Sequence, residues 1–159
     1  MKRHLFAAVL IVFSLPALAQ QLQLTGLDGK TVTVTSTELK TMPRHSVSVT
    51  NPHTKAEEHY EGVLLSDLLA KIGAPMGKAL HGPTMLTYVK AGASDNYNVL
   101  FAMAEIDPGT HVNEIIVADT MDSKPLDAKQ GPLKLIVPGD ARPARSVRML
   151  TSISVQQAK

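Results

Sequence analysis

The sequence predicts an α+β domain, mostly β-strand with two or three short helices. Short runs alternate apolar and polar residues with period two, as in Gln21-Leu22-Gln23-Leu24-Thr25. Ten glycines and ten prolines break the chain at short intervals, as strands joined by turns require. Helical spacing of apolar residues is confined to brief stretches. Together these describe a sheet-rich domain with a few packed helices.

Taken in order, Gln21 to Thr25 and Thr31 to Val34 are strands on either side of a turn at Asp28-Gly29, a hairpin. Ser36 is placed to cap a short helix that runs to Met42 and stops before Pro43. His45 to Val49 reads as a strand ended by Asn51-Pro52, and His59 to Val63 as another. Leu64 to Ile72 is the clearest helix. Leu68, Leu69 and Ile72 form its apolar stripe, Ser66 is its expected N-cap, and Gly73 and Pro75 end it. Met85 to Val89 and Asn98 to Phe101 are strands around a turn at Ser94-Asp95-Asn96. Ala102 to Ile106 is a short helix or an irregular edge. Glu114 to Ala118 is an apolar strand, Asp122 to Pro125 a turn, Leu133 to Val137 a strand, and Val147 to Val155 one or two closing strands.

Ahead of these elements, Lys2, Arg3 and His4 precede an apolar stretch from Leu5 to Leu15, then Pro16 and the small residues around Ala17-Leu18-Ala19. This is the pattern of a secretory signal peptide over residues 1–19, with cleavage after Ala19. The stretch falls short of the roughly 20 residues a membrane-spanning helix needs. The expectation is a periplasmic or secreted protein whose residues 20–159 form a single domain with no stable membrane span.

Removing Lys2 and Arg3 from the 16 basic residues leaves as many as the 14 acidic ones, so nothing in the charge favours nucleic acid. The 159 residues contain no cysteine, which excludes disulfides, iron–sulfur clusters, thiolate zinc sites and cysteine nucleophiles. There is no tryptophan, and beyond the leader only Tyr60, Tyr88, Tyr97 and Phe101 are aromatic. His45, His53, His59, His81 and His111 show no metal-ligand spacing, and the methionines do not cluster. Glu57, Glu58 and Glu61 read as a solvated strand edge, because adjacent strand residues face opposite ways.

Four patterns occur in a characteristic order: Tyr60-Glu61-Gly62-Val63-Leu64-Leu65-Ser66-Asp67-Leu68-Leu69; Ser94-Asp95-Asn96-Tyr97; Pro125-Leu126 followed by Gly131 to Gly139; and Ser146 to Leu150 ending in Ile153-Ser154-Val155. On these the chain resembles the oxidoreductase molybdopterin-binding domain, the sulfite-oxidase-type fold, from about Met42 to Val155. The third pattern is the most specific. It also stands on its own physics: Leu133, Leu135 and Val137 lie on one strand face, Lys134 and Ile136 on the other. Asn96 takes a position the family usually gives to glycine, and asparagine tolerates the left-handed backbone there.

The resemblance implies a molybdopterin cofactor whose phosphate is held by basic residues corresponding to Lys134 and Arg148. Arg142 and Arg145 share the loop before Arg148, and arginines every third residue suit a bidentate anion site. Asp95 and Tyr97 sit on a turn at a family-marked position. The family's molybdenum-bound cysteine would fall close to Thr50, where this chain offers only hydroxyls. A high-valent metal prefers a thiolate donor, so no bound metal or cofactor is expected. The leading expectation is an exported, non-catalytic module for a small anionic ligand or an exported partner protein. The alternatives are a molybdopterin-dependent oxidoreductase with an atypical metal or pterin site, and a fold whose pocket is filled by side chains.

Overall fold

A computed structural model of the chain describes residues 21–112 and 114–159. The predicted leader lies outside the described residues. Two layers of strand, the first mixed and the second antiparallel, are decorated by short helices. The first sheet has the order β2-β1-β10-β5-β6, built from β1 (Gln21–Thr25), β2 (Thr31–Thr35), β5 (Thr87–Ala93), β6 (Asn98–Ala102) and β10 (Leu150–Gln157). The second has the order β3-β4-β7-β8, from β3 (His45–Thr50), β4 (Glu57–Leu64), β7 (Ile116–Met121) and β8 (Lys124–Pro125), with β9 (Lys134–Ile136) also paired to β7. The helices are α1 (Ser36–Thr41), α2 (Leu65–Ala70) and α3 (Met103–Ile106). The predicted α+β class is the observed one.

Alternation decides which residues go inside. Leu22, Leu24 and Val34 of the first hairpin join Val89, Phe101, Ile153 and Val155 in the main core. Leu65, Leu68 and Leu69 of α2, Val117 of β7 and Leu133 and Leu135 close it from the other side. The opposite face of the second sheet carries a smaller cluster of Tyr60, Ile116, Ala118 and Ile136, flanked by Val47 and Val49. Leu135 therefore serves the main core while its neighbours Lys134 and Ile136 serve this second face, as the period of two predicts.

Three turns follow from local chemistry. Asn96 has φ 68, within the left-handed region expected for it. Asp122 and Ser123, with φ 48 and 62, form the two-residue turn of a hairpin, so the predicted turn ends in the short strand β8. Gly131–Pro132 is a cis peptide. Gly62 sits at a bulge between β4 and β7, where an added Cβ would lie 2.1 Å from the Val117 carbonyl oxygen. Only glycine allows the two strands to approach there.

Several boundaries differ from expectation. The cap of α1 is Thr35, whose hydroxyl accepts from the Glu38 amide, one residue earlier than Ser36. Ser66 does not cap α2; the helix starts after Leu64, and the Leu65 amide is satisfied by the Ile115 carbonyl at 2.9 Å. A neighbouring segment thus meets the first of the orphan amides at the start of this helix, where the sequence predicts a side-chain cap. Met85 and Leu86 lie in a 3-10 turn over Gly82–Leu86, so β5 begins at Thr87 and extends to Ala93. The apolar strand begins at Ile116, not Glu114, and the closing strand runs from Leu150 to Gln157.

Candidate functional site

The second face of the β3-β4-β7-β9 sheet is not fully covered by the chain. An open cleft of about 710 Å³ lies over it. Its floor is set by strand register. Val47 pairs with Tyr60 and Val49 with Glu58 across β3 and β4. Gly62 pairs with Ala118, and Ala118 with Lys134, across β4, β7 and β9. Two small residues in that row leave room for the Lys134 side chain to lie across the sheet.

Lys134 is held there by neutral groups. Its Nζ donates to the Tyr60 hydroxyl at 2.8 Å and to Gln130 Oε1 at 2.6 Å, and it lies 4.6 Å from the centre of the Tyr60 ring. The Tyr60 hydroxyl donates to Glu58 Oε2 at 2.8 Å, and Asn51 Nδ2 donates to Glu58 Oε1 at 2.7 Å. The result is one hydrogen-bonded line, Asn51–Glu58–Tyr60–Lys134–Gln130, with each polar atom partnered as burial demands.

Turns at each end hold this line in place. Asn51 caps the β3-β4 loop by accepting from the His53 and Thr54 amides. Asp127 accepts from the Lys129 and Gln130 amides, which fixes Gln130. Arg148 is brought beside Lys134 by the main chain: Val147 accepts from the Leu135 amide at 2.8 Å and the Met149 amide donates to Gln130 at 2.9 Å.

The charges are uneven in what they already hold. Glu58, Asp127 and Asp140 line the cleft, and each accepts hydrogen bonds from the chain itself. Arg148 and Lys129 also line it and make no ion pair among the described residues. Lys129, Lys134 and Arg148 stand against Glu58 and Asp127 as the cleft charges without an ion pair, so the cleft keeps a small cationic excess. Burial pushes the Lys134 ammonium below its ordinary value, and Arg148 adds to this while Glu58 opposes it. Burial, reinforced by Glu58, pushes the Tyr60 hydroxyl well above its ordinary value, so it remains a neutral donor.

Three of the residues singled out in the sequence meet here: Thr50 at the end of β3, Lys134 and Arg148. The others go elsewhere. Arg145 turns away; its guanidinium grips Asp140 at 2.7 and 2.9 Å, reaches Glu105 at 2.6 Å, and stacks 4.9 Å from the Phe101 ring centre. It borders a separate depression of about 130 Å³ with Glu105 and His111. Arg142 is exposed and is not among the cleft-lining residues. Asp95 Oδ1 accepts from the Tyr97 amide within its turn, and the half-exposed Tyr97 donates its hydroxyl to the Ala144 carbonyl at 2.6 Å. Those contacts brace the loop that carries the arginines.

The sequence reading missed Asn51, Glu58, Tyr60 and Gln130. Glu58 is not a solvated edge residue: it faces the cleft, two residues from Tyr60 on the same side of β4. That i, i+2 relation was the available signal.

The donor set does not fit molybdenum. Thr50 presents a neutral hydroxyl where the family resemblance implies a thiolate, and the chain contains no cysteine. Among the described residues no three His, Asp or Glu side chains are grouped to hold a metal ion. The basic side chains suit an anionic group. The cleft is open, so the reading of a pocket packed shut by side chains is set aside.

Comparison with known proteins agrees with this architecture. A family model described as oxidoreductase molybdopterin binding domain matches residues 14–159. No curated protein matches the chain. The crystal structure of the sulfane dehydrogenase SoxCD from Paracoccus pantotrophus is similar over 87% of this chain, with a TM-score of 0.67 and 18% identity. The chain spans 38% of that chain's length, and at this identity the likeness is one of fold.

Proposed function

We propose that this chain, which belongs to the oxidoreductase molybdopterin-binding domain family, is an exported, non-catalytic module that captures a small anionic ligand. The observation that carries the reading is the pairing state of the cleft. Its carboxylates are all occupied by internal donors, while Arg148 is unpaired beside a fixed Lys134. An anion entering the cleft meets a free guanidinium and the remaining N–H of an ammonium whose other donors are already placed. Such charge-assisted, preorganised donors are the efficient way to hold an oxoanion or carboxylate.

The family's usual activity depends on a metal that this donor set does not suit, which is why the binding role ranks above redox turnover. Lys134 and Arg148 would serve equally for the anionic part of an organic cofactor, so a metal-free pterin is one ligand within the class. Export rests on the basic, apolar and small-residue order of residues 1–19. No helix among the described residues is long and apolar enough to cross a membrane.

Titration calorimetry with sulfate, phosphate and short carboxylates tests the reading. The expected result is saturable binding that Arg148→Gln weakens by about tenfold, the loss of roughly 1.4 kcal/mol. Binding of equal strength in the variant, or none in the parent, contradicts it.

A further inference from the structure

We propose that Lys134 is a carbonyl-capturing amine, and that the cleft takes a short 2-oxo acid with its carboxylate on Arg148 and its carbonyl carbon bonded to the Lys134 Nζ as an imine. This rests on the anion-binding reading above and names the ligand class for the same site.

Three features of the geometry lead to it. The first is the company Lys134 keeps. Most buried lysines are paired with a carboxylate, which holds them as ammonium. Here both hydrogen-bond partners, the Tyr60 hydroxyl and the Gln130 amide oxygen, are neutral acceptors. A neutral amine has two N–H bonds and satisfies both, so loss of the third proton sacrifices neither contact. The lone pair then occupies the remaining tetrahedral position.

The second feature is a proton route. Lys134 Nζ donates to the Tyr60 hydroxyl at 2.8 Å, and that hydroxyl donates to Glu58 Oε2 at 2.8 Å. A proton leaving Nζ shifts along this pair, so that Tyr60 stays neutral and Glu58 becomes the acid. The Tyr60 hydroxyl then turns to Gln130 Oε1, 3.2 Å away, and the amine rotates to restore its N–H contact and present the lone pair to the cleft. The third feature is Arg148, which lines the same cleft and makes no ion pair among the described residues. Its guanidinium accepts a carboxylate in bidentate fashion and orients the adjacent carbonyl. Burial disfavours the ammonium form of Lys134, Glu58 opposes this, and Arg148 adds to the burial effect while Asp127 offsets it.

The step balances without an oxidant. The Nζ lone pair forms the C–N bond and the carbonyl π pair moves to oxygen, which takes the proton returned through Glu58 and Tyr60. The carbinolamine then loses its hydroxyl as water. The hydroxyl leaves with one of the two nitrogen protons, so the ammonium and the carbonyl become one protonated imine and one water. Lys134 is the residue that touches the reacting atoms; Tyr60 and Glu58 position it and carry its proton.

The test is reductive trapping. The purified chain is incubated with pyruvate and cyanoborohydride, and lysine adducts are located by peptide mass mapping. Lys134 is expected to label about tenfold faster than the exposed Lys90. Arg148→Gln, a change at an exposed position, is expected to reduce labelling by pyruvate about tenfold more than labelling by acetaldehyde, which has no carboxylate for Arg148 to hold and loses only the help Arg148 gives to the amine form. Tyr60→Phe is expected to slow both. If lactate and pyruvate bind with equal affinity and Lys134 labels no faster than Lys90, the imine proposal is overturned and the anion-binding reading stands. If neither binds, both fall.

Discussion

Removing one hydroxyl, in Tyr60→Phe, probes the centre of the cleft network. The ring is wholly buried, so phenylalanine keeps the packing against Ile116, Ala118 and Ile136 and the contact with Lys134. What is lost is one donor to the Glu58 carboxylate and one acceptor for the Lys134 ammonium, each at 2.8 Å. Hydrogen bonds to charged groups contribute about 1.5–3 kcal/mol apiece. Glu58 retains Asn51 and Lys134 retains Gln130, which limits the desolvation left behind. The expected total is therefore at the lower end of that sum, about 3 kcal/mol. For a domain of this size each kcal/mol moves the melting temperature by about 3–4 °C, so Tm should fall by roughly 9–12 °C. Thermal and urea unfolding followed by far-ultraviolet circular dichroism measure it. A double-mutant cycle with Lys134→Met should show coupling of about 1–2 kcal/mol. A loss below about 0.5 kcal/mol with no coupling would refute the description of the network as a single, satisfied unit.

Gly62→Ala should prevent folding or cost at least about 4 kcal/mol, since the new methyl would overlap the Val117 backbone, which cannot rotate away; soluble yield and unfolding midpoint report it. Arg145 and Arg148 should separate cleanly. Arg145→Ala breaks the contacts to Asp140, Glu105 and Phe101, with a loss of about 1 kcal/mol after screening at this half-exposed site, and weakens anion binding only indirectly, by freeing the Asp140 carboxylate that lines the cleft. Arg148→Gln does the reverse, and parallel melting and titration of the two variants read out the difference. Asp119 sets part of the acid limit. Burial pushes its carboxyl up, but hydrogen bonds from Arg44 and Thr120 outweigh that and hold it below the usual value. A carboxyl with a lowered folded-state pKa contributes stability that is complete above its unfolded value, about 3.9, and is lost as pH falls through the folded value. Asp119→Asn should flatten the decline in unfolding free energy below about pH 4 relative to the parent.

How much of this was legible beforehand depends on whether the determining contact is local. The first hairpin, the left-handed Asn96 and the two-faced strand around Lys134 follow from neighbours in sequence, and the structure has all three. The caps went wrong for two reasons: at α1 the neighbouring Thr35 takes the place of Ser36, and at α2 a distant carbonyl, Ile115, meets the Leu65 amide. Arg142, Arg145 and Arg148 look alike in a loop with a spacing of three. Their fates diverge because Asp140 and Glu105 claim Arg145, and Glu105 is 40 positions away. Glu58 and Tyr60 gain their roles only through register, opposite Val49 and Val47 and within reach of Lys134. The floor of the cleft is therefore a product of strand pairing that spans more than 70 residues of chain. Thr50 needed no such context, since the absence of sulfur is visible in the composition.

The most direct check is elemental analysis of protein isolated from the organism that makes it, with molybdenum counted against chain concentration. A cleft built for an anion and furnished with hydroxyl rather than thiolate should retain far less than one molybdenum per chain after gel filtration. One tightly held molybdenum per chain would mean that oxygen or nitrogen donors replace sulfur here, and the account of a metal-independent binding module would be wrong.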